Sequence, residues 1–137
     1  MKPSIKNILA VVAGVLIGSA VNMALILVSS SVIAPPAGAN VSTTEGLQAS
    51  MHLFEPKHFI FPFLAHSLGT LVGAAAAAFI AASYKLQMAL IVGAVFLAGG
   101  VASVMMLPSP LWFNALDLVG AYLPMAWIGW KVGARRE

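Results

Sequence analysis

The sequence predicts an all-α integral membrane protein, a four-helix bundle with both termini on the cytoplasmic side, and three observations predict it. First, 61% of the 137 residues are hydrophobic and 8% are charged, against about 25% charged in an ordinary soluble domain. Seven bases and four acids do not cover a water-soluble surface of this size. The composition therefore argues against a soluble enzyme, and no nucleic-acid partner is expected despite the pI near 9.6. Second, the mean hydropathy of +0.97 is concentrated in four apolar runs, each long enough to cross a bilayer core at about 1.5 Å per residue. Third, the bases segregate. In a four-span topology Lys2, Lys6, Lys85, Lys131, Arg135 and Arg136 share one side, and only Lys57 lies on the other. That asymmetry marks the basic side as cytoplasmic. The chain has no cysteine, which removes disulfides, thiolate metal sites and Cys nucleophiles.

The first span covers about residues 7–30 and follows Lys2 and Lys6. Its apolar stretch exceeds the roughly 7–15 residues of a cleaved signal core, so it reads as a retained anchor. An outer loop over about 31–56 opens with the Pro/Gly-rich IAPPAGAN. Within it, Ser42 and Glu45 have the S-x-x-E spacing of a capping box. Leu47, Met51 and Phe54 then recur at helical spacing, predicting a short amphipathic helix on the outer membrane surface. The second span covers about 57–84, with Pro56 at its first turn. A tight connection leads to the third, about 88–107, and Pro108-Ser109-Pro110 to the fourth, about 111–131. Pro124 is placed to kink that last helix. Tyr84, Trp127 and Trp130 mark the inner interface, and Trp112, Phe59 and Phe61 the outer one. The whole of 1–137 reads as a single transmembrane domain.

Helices in lipid gain little by burying leucine against leucine, so close approach through small residues takes over. Gly14-x-x-x-Gly18 supplies such a row in the first span and Gly69-x-x-x-Gly73, continued by Ala77 and Ala81, in the second. Gly93 and Gly100, with Ala89 and Ser103, do so in the third. These are helix-packing residues, and spacing alone leaves open whether they join helices of one chain or of two. A homo-oligomer or a larger membrane complex is expected, with the lipid bilayer as the surrounding partner.

Ionisable groups inside a span raise a functional hypothesis by default. His66 and Asp117 are the two here, with Asn22 and Asn114 as neutral companions. Asn22 lies eight residues before Ser30, His66 eight after His58 and Asp117 seven after Pro110. Each therefore sits on the order of 10–12 Å below the outer interface. All four lie on packing faces, which predicts an Asp117–His66 pair with Asn22 and Asn114 supplying hydrogen bonds. One reading makes that cluster internal glue. The other makes it a ligand or proton site, since histidine is the side chain that ordinarily titrates near neutral pH.

His52-x-x-Glu55-x-x-His58 offers three metal-ligating side chains at the outer surface. It lacks the H-E-x-x-H spacing that puts two histidines on one helix face, and Pro56 interrupts a helix through the triplet. Interfacial polar residues are the expected reading of His52, Glu55 and His58. No metal and no cofactor is expected. A bis-histidine haem lacks a second inward ligand, and no P-loop, dinucleotide fingerprint or Ser–His–Asp arrangement is present.

The stretch MHLFEPKHFIFPFLAHSLGTLVGA, followed by LPSPLWFNALDLVGAYLPMAW, resembles small four-span inner-membrane proteins of bacteria whose activity is uncharacterised. The resemblance covers nearly the whole chain. It implies a bacterial inner membrane location and implies no activity or ligand. The favoured function is a non-enzymatic membrane module, either a homo-oligomer or an accessory subunit. The alternative is a small transporter or channel using Asn22, His66 and Asp117. An enzyme using His66 and Asp117 as an acid/base pair comes third.

Overall fold

A computed structural model describes residues 1–136; Glu137, one of the four acids, lies outside the described residues. Helices dominate, and no strand occurs among the described residues. Helix α1 runs Pro3–Val32, α2 Thr44–Ser50, α3 Ile60–Ile80, α4 Lys85–Met106, α5 Leu111–Gly120 and α6 Leu123–Gly133. Four helical stretches are long and apolar enough to cross a membrane: α1, α3 with the 3-10 turn Pro56–Phe59 that leads into it, α4, and α5 with α6.

Helix boundaries follow from local chemistry. Pro3 opens α1, where its missing N–H has no partner to lose. The helix ends at Val32, three residues before Pro35-Pro36, and Ile33 is extended; Pro35 in turn disfavours the helical region at Ala34, the residue before it. Glu55 is extended for the same reason, and Pro56 occupies the first turn of the second span. That span stops at Ile80, short of the predicted Tyr84. Ala81 turns extended and Tyr84 adopts a left-handed φ of 50°.

Asn7 of α1 fixes this early stop. Its Oδ1 accepts from the N–H groups of Ala82 at 2.9 Å and Ser83 at 3.2 Å, and its Nδ2 donates to Ser83 Oγ at 3.1 Å. A buried asparagine thus supplies the partners that a turn in an apolar setting would lack.

The fourth span is two helices. Pro124 lies in the first turn of α6; it has no N–H to give, and its ring crowds the carbonyl four residues back. The helix therefore breaks at Ala121 and Tyr122, N-terminal to the proline.

Helix α3 sits at the centre of the bundle, burying eight residues where the longer α1 buries four. Gly14 faces Gly73 and Gly18 faces Gly69, so the two predicted seams pair with each other, antiparallel and inside one chain. A Cβ on Gly73 would lie 2.5 Å from the Gly14 carbonyl oxygen, and one on Gly69 2.9 Å from that of Gly18. The opposite side of α3 receives α6. There a Cβ on Gly129 would lie 2.5 Å from the Leu71 carbonyl oxygen, and Gly133 rests on the backbone of Ala75. Gly93 meets Ala126, and Gly100 lies under the ring of Tyr122. The core between α3, α4 and α6 consists of methyl groups, those of Ala74, Ala78, Ala89 and Ala126.

The end that carries α2 is closed by larger side chains. Met51, Phe59 and Phe113 form a buried cluster, with Leu47, Phe54, Phe63 and Leu107 packed around it. The apolar row of the outer loop is thus spent on the protein, and Phe59 is a core residue here, not a member of an interfacial belt. The cap of α2 shifts by one residue from the predicted one. Thr43 Oγ1 accepts from Gly46 N–H at 3.0 Å, while Ser42 bonds to Asn40 Oδ1 through both its N–H and its hydroxyl. Gln48 Nε2 donates to the Met106 carbonyl at 2.8 Å, tying α2 to the end of α4.

Candidate functional site

Asp117 lies two turns into α5, one turn beyond Phe113, and both side chains face inward and are buried. Across from it on α3, His66 brings Nδ1 to 2.8 Å from Oδ1 and 3.0 Å from Oδ2. A third group completes the arrangement. Tyr122 donates its hydroxyl to Asp117 Oδ2 at 3.0 Å, and its ring stacks on the imidazole with centroids 5.8 Å apart. Residues five apart on a regular helix diverge by about 140°. The break before Pro124 is what lets Tyr122 reach back to Asp117, so the backbone irregularity and the polar cluster have one cause.

The Asp117 side chain is 5% exposed and that of His66 24%. Asp117 is enclosed, whereas one edge of the imidazole is open. With Nδ1 committed to the carboxylate, Nε2 is the ring nitrogen with no partner among the described residues. His66 borders two cavities. One, of about 210 Å³, is also lined by Ser19, Asn22, Thr70, Ser103 and Tyr122. The other, about 200 Å³, extends past Asp117 and Asn114 toward the apolar cluster beside α2. Thr70 returns its hydroxyl to the His66 carbonyl at 2.7 Å and contributes mainly its methyl group to the wall.

Of the four predicted polar residues, the structure brings His66 and Asp117 together and leaves both asparagines out of the hydrogen-bonded cluster. Asn114 closes the Pro108–Pro110 turn instead. It accepts from Ser109 Oγ at 2.6 Å and donates to the Ser109 carbonyl at 3.3 Å. Asn22 lies beside Gly69 on the wall of the 210 Å³ cleft. Tyr122 takes the place expected for them. The signal that could have found it is a phenol two residues before a proline inside an apolar run, where a freed backbone and a hydroxyl coincide.

His52, Glu55 and His58 do not assemble into a ligand set. The Glu55 N–H donates to His58 Nδ1 at 2.8 Å, so His58 caps the turn that opens the second span. The Glu55 carboxylate pairs with Lys57 at 3.6 Å. Among the described residues no three His, Asp or Glu side chains converge on a point that would hold a metal ion. At the far end of the bundle, Lys131 Nζ sits 4.6 Å from the ring centroid of Trp127 and 5.7 Å from that of Trp130. Such a cation–π cluster suits a membrane–water boundary.

Chemically, the arrangement is an imidazole oriented at one nitrogen by an enclosed carboxylate and presented at its edge to a small polar cleft. Among the described residues no serine hydroxyl is bonded to His66: the neighbouring Ser67 donates to the Phe63 carbonyl at 2.8 Å. Comparison with protein-family models, with curated proteins and with solved structures finds no match to this chain.

Proposed function

We propose that this chain is a bacterial inner-membrane protein with both ends on the cytoplasmic side, and that it works as a non-enzymatic module, a homo-oligomer or the accessory subunit of a larger complex. The observation that carries this reading is the closure of the bundle below the polar level. Glycine seams bring α1 and α6 onto the backbone of α3, and alanine methyl groups fill the remaining core, so among the described residues no polar path runs from His66 to the basic end. Asp117, His66 and Tyr122 then serve as a lock that ties α3 to both halves of the fourth span. The outward face of α1, with Leu16 and Leu27 65% and 70% exposed, is available to lipid or to another helix. Native mass spectrometry of the protein released from nanodiscs tests the reading. A homo-oligomer or a stoichiometric partner supports it, and a bare monomer with no partner in its native membrane overturns it.

A second reading, a small transporter or channel, draws on one observation, the open edge of His66 on a cleft shared with Asn22. It requires pH-dependent solute flux in proteoliposomes that Asp117→Asn abolishes while the protein stays assembled. Unchanged permeability on adding the protein removes this reading.

A further inference from the structure

The cleft beside His66 is lined by polar groups that the bundle itself does not use. Ser19 and Asn22 of α1, Ser103 of α4 and Nε2 of His66 all border it, and none of these side-chain polar atoms hydrogen-bonds to another described residue. Helical hydroxyls ordinarily return to a carbonyl one turn back, as those of Ser67 and Thr70 do. Ser19 and Ser103 do not. In the hydrocarbon region an unpartnered amide or hydroxyl costs free energy, so four of them around one cleft mark a place where a polar group enters from outside the bundle.

The character of those groups narrows what enters. His66 Nε2 borders the cleft as donor or acceptor according to the tautomer of the ring. The Asn22 amide adds two N–H donors, and each serine hydroxyl donates as well. The cleft therefore offers several donors to an acceptor oxygen, while the Asn22 amide oxygen and the serine lone pairs can still receive a hydroxyl. Lys57, the one base near the outer end, is exposed and paired with Glu55; it does not line this cleft, so an anionic head finds no countercharge. The volume of about 210 Å³ is below the roughly 300 Å³ at which pockets for drug-sized ligands begin, enough for one ring. Access is lateral, since Ser19 and Gly99 on the two walls are exposed on the flank between α1 and α4. The neighbouring cavity shares His66, Gly100 and Ser103 with the cleft and is largely apolar beyond them, which gives an apolar tail somewhere to lie.

We propose that this cleft binds the carbonyl-bearing head of an uncharged, lipid-borne molecule, with prenyl quinones the class whose single ring, acceptor oxygens and apolar tail match it. The inference needs the chain to span a membrane and does not rest on the module reading: binding and oligomeric state are read separately. The test is calorimetric titration of the full chain in nanodiscs with decylubiquinone, alongside decylbenzene, which has the tail without the carbonyls. The expected result is saturable binding of decylubiquinone, one per chain, and none of decylbenzene. Gly99→Leu and Asn22→Leu each weaken it roughly tenfold or more. Gly99 suits the purpose because a Cβ there meets nothing within 4 Å, so the variant blocks the cleft without straining the bundle. Absence of saturable binding overturns the proposal. So does equal binding of decylbenzene, and so does wild-type affinity in both variants when their melting shows an intact fold.

Discussion

Asp117 is the residue on which the α2-bearing half of the bundle is organised, and its partners are not equivalent. Nδ1 of His66 approaches both carboxylate oxygens, whereas Tyr122 donates a single hydrogen bond to one of them. Removing His66 as His66→Ala leaves a buried carboxyl without its main partner, a change that costs about 3–5 kcal/mol in buried pairs. Tyr122→Phe keeps the ring over Gly100 and loses only the hydroxyl. Hydrogen bonds to charged groups are worth about 1.5–3 kcal/mol in water-soluble proteins, and interhelical ones in membranes average less, so about 1–2 kcal/mol is expected. Unfolding measured by steric trapping should rank the two in that order, and Tyr122→Phe costing as much as His66→Ala would displace the imidazole from its central place. Asn7 gives a second expectation at this scale. Asn7→Leu strips the partners from the N–H groups of Ala82 and Ser83, and should cost about 1–3 kcal/mol with faster hydrogen exchange at those two amides; unchanged exchange there would remove Asn7 from that role. His66 and Asp117 were legible in the sequence because ionisable groups stand out within apolar runs. Asn114 misled because a polar side chain so near a helix start has a local backbone to bind. Asn7 and Tyr122 were illegible because each acts on a backbone irregularity, the turn after Ile80 and the break before Pro124, whose place the hydropathy pattern does not mark.

At the scale of helices, the bundle is held by backbones in contact, and the glycines that permit it divide into those that need the space and those that do not. A Cβ on Gly73 would lie 2.5 Å from a carbonyl oxygen of α1, an atom that moves only if the whole helix moves. Gly73→Val should therefore push α1 from α3 and cost about 3 kcal/mol, near the upper end of overpacking penalties. Gly99→Ala is the internal control. Its Cβ meets nothing, and replacing a helical glycine gains up to about 1 kcal/mol in propensity. Thermal unfolding in detergent should move in opposite directions for the two variants, and parallel shifts would mean that the seam is not what joins these helices. The G-x-x-x-G pairs of α1 and α3 were visible in the sequence, but their mutual register was not, because small-residue spacing names a surface and leaves its partner open. The corresponding row in α6, Gly129 and Gly133, was hidden among Trp127, Trp130 and Lys131, where the aromatic residues suggested an interface. One side of α6 packs on Leu71 and Ala75, and Lys131 lies over the two indoles.

For the molecule as a whole, four apolar stretches were legible from hydropathy alone, because crossing a bilayer sets length and composition together. The outer loop was not, because a row such as Leu47, Met51 and Phe54 looks the same whether it covers lipid or protein. The aromatic residues Phe59 and Phe113 at the outer end decide it in favour of protein. Orientation is the property that the fold itself leaves to the charges. Asn7 bonded to Ser83 sets the start of α1 beside the turn that leads into α4, and four crossings bring the end of α6 to the same level. Lys2, Lys6, Lys85, Lys131 and Arg135 therefore gather at one end of the bundle, and the end that carries α2 holds Lys57 with Glu45 and Glu55. The positive-inside rule then predicts a cytoplasmic location for the first of these ends. A chain with no cysteine lends itself to the test, since an introduced thiol is the only one to react. Ala49 of α2 and Ser4 at the start of α1 are both exposed, so neither replacement disturbs packing. Ala49→Cys in intact spheroplasts should react with a membrane-impermeant maleimide, and Ser4→Cys should react only after the membrane is opened. The reverse pattern would place the five bases outside and would show that something other than the charge asymmetry sets the direction of the first span. Equal labelling of both before permeabilisation would mean that the chain inserts in two orientations, as expected if six bases against one were too weak a bias to choose between them.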